Sequence, residues 1–376
     1  MNKHELVVTE MAILEQIKLA DLEIGDMIPS VRKLQSEIYS SRNGVLAALK
    51  SLSEKGIIEK GASPRQGYTL CQNVNGIPAS FNNNLPTTIQ YLLPFSTWNY
   101  TINKFLSSFE DAFSKQQIDL VFSNTHNSVE AETRLIGSIM TKSSRPDFLF
   151  LTTCNSFSNP NIPLLEEINK EIPVILIDRY FPNHCFHYIG VDNTMIGNKT
   201  ARYLLDNGHT SIAYIKAYNN ISTIRDRFTG FKQTLEEASI SLPDCNIYTL
   251  PDSNVGSLSE IQSKINDIGQ QILSAPTQPT VVVCSFDRIA VALIHFFTKN
   301  NIRVPEDICV IACDNDTDIA ATSPVSLTTF RHPYKECAFE AINRIHRIRN
   351  RMYLAPYSVE FYSEMLLGKS TEKNIL

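Results

Sequence analysis

Between residues 88 and 312 the chain alternates short apolar runs with longer amphipathic stretches. The runs are typical of buried strands, and the stretches repeat apolar residues every three or four positions, as helices do. We predict strands at 89–93, 120–122, 147–151, 173–177, 188–191, 211–215, 246–250, 280–285 and 307–312. We predict helices at 99–115, 128–141, 194–207, 223–238, 258–273 and 288–300. This alternation indicates an α/β fold with two lobes, each a parallel sheet covered by helices.

The first seventy residues follow another pattern, which predicts two short helices and then a hairpin. Ser30 and Ser41 are placed to cap the two helices, and Gly56 ends the second one. The apolar positions at helical spacing are Leu34, Ile38, Val45, Leu49 and Leu52. Residues 57–70 then break at two glycines and return as a second short strand. The segment therefore predicts a winged helix-turn-helix.

Such an element binds duplex DNA, with the start of its second helix in the major groove. Arg42 and Asn43 lie at that start, and their side chains suit guanine and adenine edges. Residues 28–70 carry seven Lys and Arg against three Glu, whereas residues 1–27 carry two Lys against six acidic residues. A local basic patch of this kind attracts phosphates. The alternative is a small helical domain whose charges are merely solvated.

Composition limits the other possibilities. The chain has 376 residues, enough for two or three domains, with 43% apolar and 19% charged positions. No apolar run is long enough for a membrane span, and the start of the chain has no signal-peptide core, so we expect a cytoplasmic protein that does not bind membranes. The eight cysteines are scattered without metal-binding spacing, so we expect free thiols and neither metal nor cofactor. A redox pair of Cys309 and Cys313 is the alternative.

Polar residues follow several of the predicted strands. Asp178 and Arg179 follow one strand, and Asp287 and Asp314 follow two others. In open parallel sheets, ligands bind at the carboxyl ends of the strands. Phe95 and Trp98, just after the first strand of this region, also lie at such an end and offer aromatic faces for a sugar ring. Each of these residues taken alone also fits a structural role, as a helix cap or a core aromatic.

Residues 10–70 resemble the winged-helix domain of the GntR family of bacterial transcription factors. The matching positions are Gly25, Ile28 to Leu34, Ser41 to Val45, Leu52 to Ile58 and Gly67. The resemblance, together with the helix and charge pattern, indicates a set of candidate DNA contacts. They are Arg32, Lys33, Ser41, Arg42, Asn43, Arg65, Gln66 and Gly67. Gly44 and Leu46 stand where many members carry Thr and Arg, which leaves the operator sequence open.

Residues 88–366 resemble the effector-binding domain of the LacI family, related to periplasmic sugar-binding proteins. The matching segments are residues 173–179, 190–193, 204–213, 227–231, 287–290, 304–308 and 327–329. By position, the resemblance adds Arg227, Thr223 and His332 to the candidate ligand contacts and supports Asp287. The full set is Phe95, Trp98, Arg179, Thr223, Arg227, Asp287, Asp314 and His332. Cys313 stands where Phe is usual, and Phe286 where Asn often precedes the Asp.

The two resemblances together imply a ligand-responsive transcription factor that represses carbohydrate genes. We predict a DNA-binding head at 1–70, a linker at 71–87 and an effector-binding and dimerisation domain at 88–376. The expected partners are double-stranded operator DNA, a monosaccharide or related effector, and a second copy of the chain. The alternatives are a nucleobase effector, a pyridoxal-phosphate enzyme fused to the head, and a sugar-transport protein. The sequence contains neither a Gly-x-Ser-x-Gly motif nor a phosphate-binding loop, so these motifs do not support an enzyme.

Overall fold

The computed structural model describes the chain in two compact units. Unit 1 comprises residues 1–86 and 335–354, and unit 2 comprises residues 87–334 and 355–376. The described residues are 6, 9–10, 12–14, 16–17, 20, 22–38, 41–61, 67–72, 87–95, 100–116, 118–141, 145–217, 220–250, 258–349 and 355–372, with the backbone alone at 115 and 258–260. The predicted linker falls almost wholly outside them.

Helices and strands alternate along most of the described chain. The helices are α1 (Val31–Ile38), α2 (Arg42–Glu54), α3 (Tyr100–Phe113), α4 (Val129–Thr141), α5 (Ile162–Ile168), α6 (Asn193–Asp206), α7 (Ser222–Glu237), α8 (Leu258–Leu273), α9 (Asp287–Lys299), α10 (Thr317–Ala320) and α11 (Tyr334–Arg349). The strands are β1 (Ile58–Lys60), β2 (Tyr68–Leu70), β3 (Thr87–Leu93), β4 (Ile118–Asn124), β5 (Phe148–Leu151), β6 (Val174–Ile177), β7 (His187–Val191), β8 (Ile212–Lys216), β9 (Ile247–Thr249), β10 (Val281–Cys284), β11 (Cys309–Ile311), β12 (Thr329–Arg331), β13 (Ser358–Phe361) and β14 (Glu364–Leu366).

The predicted winged helix-turn-helix is present in unit 1. Ser41 caps α2, since its side chain accepts a hydrogen bond from the Gly44 N–H at 3.0 Å. Gly56 ends α2 at a φ of 70°, a backbone conformation that a residue with a Cβ rarely adopts. Strands β1 and β2 form an antiparallel hairpin in which Ile58 faces Leu70. The core joins α1 and α2 through Leu34, Ile38, Val45, Ala48, Leu49 and Leu52.

Helix α11 contributes to unit 1 from the far end of the chain. Its residue Phe339 packs against the apolar core of the helix-turn-helix. Within α11, Arg344 is fully buried and donates from Nη2 to Oε1 of Glu340 at 2.7 Å. The apolar pattern did not predict this helix, because it mixes buried charged residues with its apolar ones.

Unit 2 contains two parallel sheets, as the alternation of strands and helices predicts. The first has the strand order β13-β7-β6-β5-β3-β4, and the second has the order β11-β10-β8-β9. Strands such as β5, β6 and β10 consist entirely of buried residues, because helices cover both of their faces. A separate antiparallel pair joins β12 to β14, with Thr329 facing Leu366.

The strands and helices predicted between residues 88 and 312 are all present, with ends that differ by a few residues. The apolar pattern missed the short elements α5 and α10 and the three strands β12, β13 and β14. These strands have three or four residues and mixed polarity, so they give little periodic signal. None of the helices in the described ranges is long and apolar enough to cross a membrane.

Candidate nucleic-acid interface and effector site

The start of α2 presents exposed side chains suited to a DNA groove. Arg42 and Asn43 are exposed in the first turn of the helix, directly after the Ser41 cap. The Ser41 hydroxyl already accepts from the Gly44 N–H, so it remains able to donate its own proton to a phosphate. Leu46, one turn further along α2, is 39% exposed, although apolar side chains of this size are usually buried. An exposed leucine at this place is suited to contact with a thymine methyl group.

Helix α1 and the wing supply the remaining candidate contacts. Arg32 and Lys33 are exposed on α1, and the Lys33 Nζ lies 3.6 Å from Oε1 of Glu37. Gly67 is half-buried at the start of the second wing strand, close to the Met27 side chain. Arg65 and Gln66 lie outside the described residues. The assignment of these residues to DNA contact stays a prediction.

Arg227 is the centre of the candidate effector site in unit 2. It lies on α7 with only 7% of its surface exposed. Its Nη2 donates to Oδ1 of Asn193 at 2.8 Å, and its Nη1 donates to the Ser285 carbonyl at 2.5 Å. Asn193 begins α6 and Ser285 follows β10, so the guanidinium joins three elements. Burial alone would lower the Arg227 pKa, but the favourable charges of Cys313 and Asp314 outweigh it and raise that pKa further.

Two glycines set the position of Arg227 by letting α6 and α7 touch. A Cβ placed on Gly197 of α6 would lie 2.0 Å from the Arg227 carbonyl oxygen. A Cβ on Gly230 of α7 would lie 2.2 Å from the carbonyl oxygen of Thr194. Both distances are far below contact, so neither helix tolerates a side chain at the crossing. This close approach brings Arg227 next to Asn193 at the start of α6.

Asp314 and His332 lie beside Arg227. The Arg227 Nη1 is 3.6 Å from Oδ1 of Asp314, and the same oxygen is 3.2 Å from Nε2 of His332. The other ring nitrogen of His332 is hydrogen-bonded to the Ser363 hydroxyl at 2.7 Å. Asp314 has a φ of 107°, outside the conformations that its residue type favours. Strain of this kind clusters at functional sites.

Asp287 is already hydrogen-bonded within the protein. Its Oδ1 accepts from the Thr329 hydroxyl at 2.6 Å, and its Oδ2 accepts from the Asp316 N–H at 2.7 Å. Burial raises the Asp287 pKa well above its usual range, and the nearby Asp314 charge raises it further. Asp287 therefore anchors the turn at Asp316, and its free lone pairs remain available to a ligand.

Asp178 and Arg179 bring the end of β6 to the same site. Burial raises the Asp178 pKa, while the positive charges of Arg179, His332 and Arg227 lower it. Arg179 donates from Nη1 to the Thr153 carbonyl at 2.8 Å, but its buried Nε has no hydrogen-bond partner among the described atoms. That Nε lies 3.7 Å from Oδ2 of Asp178, an ion pair too long to be a hydrogen bond, so a ligand oxygen could still accept a hydrogen bond from it.

The two lobes of unit 2 touch beside this cluster. The Tyr180 hydroxyl, after β6, donates to Oδ2 of Asp226 on α7 at 2.7 Å. The Tyr180 N–H donates to the Ser222 hydroxyl at 3.1 Å, and the Ser156 N–H donates to the Asn220 carbonyl at 2.7 Å. These contacts bridge loops of the first sheet to the start of α7. The cluster therefore lies between the two lobes.

The remaining predicted ligand contacts are placed less centrally or are not described. Thr223 is buried in the first turn of α7, one turn before Arg227. Phe95 is half-buried, and its ring centroid lies 6.0 Å from that of Phe122. Trp98 lies outside the described residues. The ligand-binding role of all these residues stays a prediction.

Several polar residues around the site were not singled out from the sequence. Glu132 is fully buried and accepts hydrogen bonds from the Cys154 N–H and from the Asn159 and Asn161 side-chain amides. Glu132 also accepts a hydrogen bond from the Thr153 hydroxyl, and the Thr153 carbonyl accepts one from Arg179. Glu132 occupies an ordinary helical position, so no spacing could have revealed this network. Asn193, by contrast, closes the segment 190–193 that carries the family resemblance.

One group of side chains has the composition of a metal site. Donor atoms of Cys313, Asp314 and His332 all lie within 4.8 Å of one another. The sequence predicted no metal site, because His332 is far from the other two along the chain and no motif links them. Cys313 and Asp314 lie after strand β11, and His332 lies directly after β12.

Comparisons with known proteins match two separate stretches of the chain. Residues 8–67 match the family of bacterial regulatory proteins called gntR. Residues 201–359 match the periplasmic binding protein-like domain.

Two similar proteins are named as transcriptional repressors. The chain is 28% identical over 342 residues to the arabinose metabolism transcriptional repressor of Halalkalibacterium halodurans, covering 89% of this chain and 85% of that protein. It is 29% identical over 256 residues to the transcriptional repressor PurR of Escherichia coli, covering 67% of this chain and 70% of that protein. The fold resembles the transcription regulator CcpA of Lactococcus lactis, with a TM-score of 0.64 and 18% identity over 77% of this chain and all of that one. This chain therefore joins a helix-turn-helix region that matches the gntR regulatory proteins to a periplasmic-binding-protein-like domain.

Proposed function

We propose that this protein is a ligand-responsive transcriptional regulator that represses carbohydrate genes. The head binds operator DNA through α2, and a small molecule binds between the lobes of unit 2 around Arg227. One observation carries the proposal. Side chains from four separate elements converge on a single cluster, in a chain that also exposes Arg42 and Asn43 on a DNA-binding helix. The similar protein of Halalkalibacterium halodurans is named an arabinose metabolism transcriptional repressor, which supports this function.

The effector that fits this cluster best is an uncharged polyol such as a monosaccharide. The Nε of Arg179, which makes no hydrogen bond among the described atoms, can donate to a hydroxyl oxygen, and the carboxylates can accept hydroxyl protons. Three carboxylates, Asp178, Asp287 and Asp314, face two guanidiniums, Arg179 and Arg227. This balance disfavours phosphates. A nucleobase is the second candidate, since a carboxylate can also accept from ring N–H groups.

The DNA-bound form is a homodimer in this proposal. Strand β4 ends the six-stranded sheet, and its residues Val121 and Phe122 are 47% and 51% exposed. Exposed apolar side chains on an edge strand favour association with another chain. Two heads then read a pseudo-palindromic operator with half-sites about 34 Å apart, or a multiple of this.

Repression and release follow from different affinities of the effector for two states of the protein. The effector must bind the state with low operator affinity more tightly, or the operator occupancy does not change. A coupling of about 1–3 kcal/mol is typical of such regulators.

An enzymatic function is less well supported. Ser363, His332 and Asp314 form a hydrogen-bonded series, as a hydrolase triad does. Ser363 is only 3% exposed, however, so its hydroxyl is not presented to a substrate. The series instead fixes the orientation of the His332 ring. We propose that the protein has no catalytic activity of its own.

The test combines an effector screen with a DNA-release assay. The full chain is first melted in the presence of monosaccharides, sugar phosphates and nucleobases. A ligand at about 100 times its dissociation constant stabilises its domain by about 2.7 kcal/mol. The hit is then added to the protein bound to a fluorescent fragment of the DNA upstream of its own gene. Release by a monosaccharide supports the proposal. Release by a nucleobase overturns the sugar assignment, and failure to bind any DNA duplex overturns the regulator itself.

A further inference from the structure

The floor of the effector site holds three different donor atoms with the spacing of a metal centre. The Cys313 Sγ lies 3.8 Å from Nε2 of His332, and that nitrogen lies 3.2 Å from Oδ1 of Asp314. All three atoms lie within 4.8 Å of one another. A tetrahedral zinc ion with ordinary bond lengths separates such ligands by about 3.3 to 3.6 Å. The two distances from the His332 nitrogen therefore differ from coordination spacing by a few tenths of an ångström.

We propose that Cys313, Asp314 and His332 bind one divalent, thiophilic cation of the Zn²⁺ class. The inference concerns the same pocket as the proposed effector but does not depend on the regulator function. A thiolate, an imidazole and a carboxylate form a ligand set that Zn²⁺ accepts and that Mg²⁺ and Ca²⁺ do not prefer. Binding releases the Cys313 thiol proton to the buffer and forms a sulfur–metal bond.

The surroundings orient the histidine as a ligand. Its Nδ1 is hydrogen-bonded to the Ser363 hydroxyl at 2.7 Å, which leaves Nε2 directed at the other two donors. Metal-binding histidines almost always have such a partner on the second ring nitrogen. Strands β12 and β14 hold this pair in place, because His332 directly follows β12 and Ser363 directly precedes β14. Cys313 and Asp314 follow β11 on the facing side.

Charged groups of both signs surround the cluster. Asp178 and Asp287 interact electrostatically with Asp314, and the Cys313 thiolate would add another negative charge. The positive charge of Arg227 would repel a cation here, since its Nη1 lies 3.6 Å from Oδ1 of Asp314. That guanidinium is held by the Ser285 carbonyl and the Asn193 side chain, so it does not depend on Asp314 for its position.

The site would remain open on one side. Cys313 and His332 are 2% and 6% exposed, whereas the Asp314 side chain is 21% exposed. Three protein ligands leave one position of a tetrahedral zinc ion for water or for a ligand oxygen. A hydroxyl of a bound polyol is suited to that position. The cation would then lie between the protein and its effector.

The experiment is a metal titration of the untagged full-length chain. The exposed thiols Cys71, Cys185 and Cys245 are first changed to Ser, since they bind metals nonspecifically. Zn²⁺ is titrated calorimetrically, and Co²⁺ binding is followed by absorbance in the near ultraviolet, where a cobalt–thiolate bond absorbs. We expect one site per chain and a thiolate band with Co²⁺. Absence of Zn²⁺ binding, or a cobalt complex without that band, overturns the proposal.

Variants then assign the ligands. Cys313→Ala and His332→Gln should each weaken Zn²⁺ binding by about 100-fold or more, and Ser363→Ala by about 10-fold through the ring orientation. The matched control is Cys309→Ser, since Cys309 is equally buried on β11 and its Sγ faces the Pro305 carbonyl. It should bind Zn²⁺ as the parent does. Melting curves show which variants are folded. Unchanged binding in folded Cys313→Ala overturns the assignment, whatever the DNA-release assay gives.

Discussion

Arg227 and Asp314 approach to 3.6 Å, although one lies in the middle of α7 and the other in the turn after β11. The guanidinium is also hydrogen-bonded to Asn193 and Ser285, so it links the start of α6 to the end of β10. Arg227 therefore links the elements around the cleft and also places a positive charge beside it. Loss of Arg227 should therefore affect structure and effector binding together, and the two effects must be separated.

The first prediction uses Arg227→Lys, which keeps the charge but loses the planar fork of donors. We expect folded protein whose unfolding free energy is lower by about 1–3 kcal/mol, since Asn193 or Ser285 loses its partner. Effector-induced release from DNA should be lost, while DNA binding itself remains. Fluorescence anisotropy with labelled DNA measures both. The control is Lys232→Arg, because Lys232 is on the same helix but exposed, and pairs with Glu236 of that helix. A normal effector response in Arg227→Lys would contradict the site.

The second prediction concerns the DNA-binding helix. Arg42→Ala should weaken operator binding by about 1–3 kcal/mol, the range for a side chain that reads a base edge. Effector binding to unit 2, measured by melting, should not change. Arg145→Ala is the control, because Arg145 is also exposed but pairs with Glu171 in unit 2. If Arg42→Ala and Arg145→Ala bound the operator equally well, α2 would not be the reading helix.

The third prediction tests the contact between α6 and α7. Gly197→Ala should lower the stability of unit 2 by about 1–3 kcal/mol or more, because the new methyl group would overlap the Arg227 backbone. Gly137→Ala is the matched control on α4, where a Cβ meets no atom within 4 Å. That change should be neutral or stabilising by up to about 1 kcal/mol. Thermal or urea melts compare the two. Equal stability would show that the helices are not in contact.

The fourth prediction concerns acid stability of unit 1. Burial, together with the Arg349 charge, lowers the pKa of His346 on α11 from 6.5 to about 4. The unfolded chain therefore binds a proton between pH 6.5 and 4 that the folded chain does not. Stability contributed by the neutral ring is present above pH 6.5 and is lost as the pH falls towards 4, by up to about 3 kcal/mol.

The variant His346→Gln removes this titration. Its unfolding free energy should fall less steeply than that of the parent between pH 6.5 and 4. Other carboxyls titrate in both proteins, so the difference between the two pH profiles is the informative quantity. Parallel profiles would contradict the buried, neutral state of His346.

The sequence predicted the parallel strands well because their physical signal is simple. A strand such as Val281–Cys284 is apolar at every position, since helices cover both of its faces. The pairing of His332 with Cys313 and Asp314 had no such signal, because a short antiparallel strand of mixed polarity delivers the histidine. Arg227 was predicted through the family resemblance, and Asp287 was predicted from its place after a strand with the resemblance in support. The Glu132 network depends on contacts that a single sequence does not encode.

The contact of Phe339 with the helix-turn-helix core has a consequence for protein synthesis. The ribosome makes the first seventy residues early, but α11 follows only after unit 2 has largely emerged. At about 5–20 residues per second, this delay is roughly 15 to 55 s. During that time the nascent head lacks one packing partner of its core. The head therefore reaches its full stability only when translation is nearly finished.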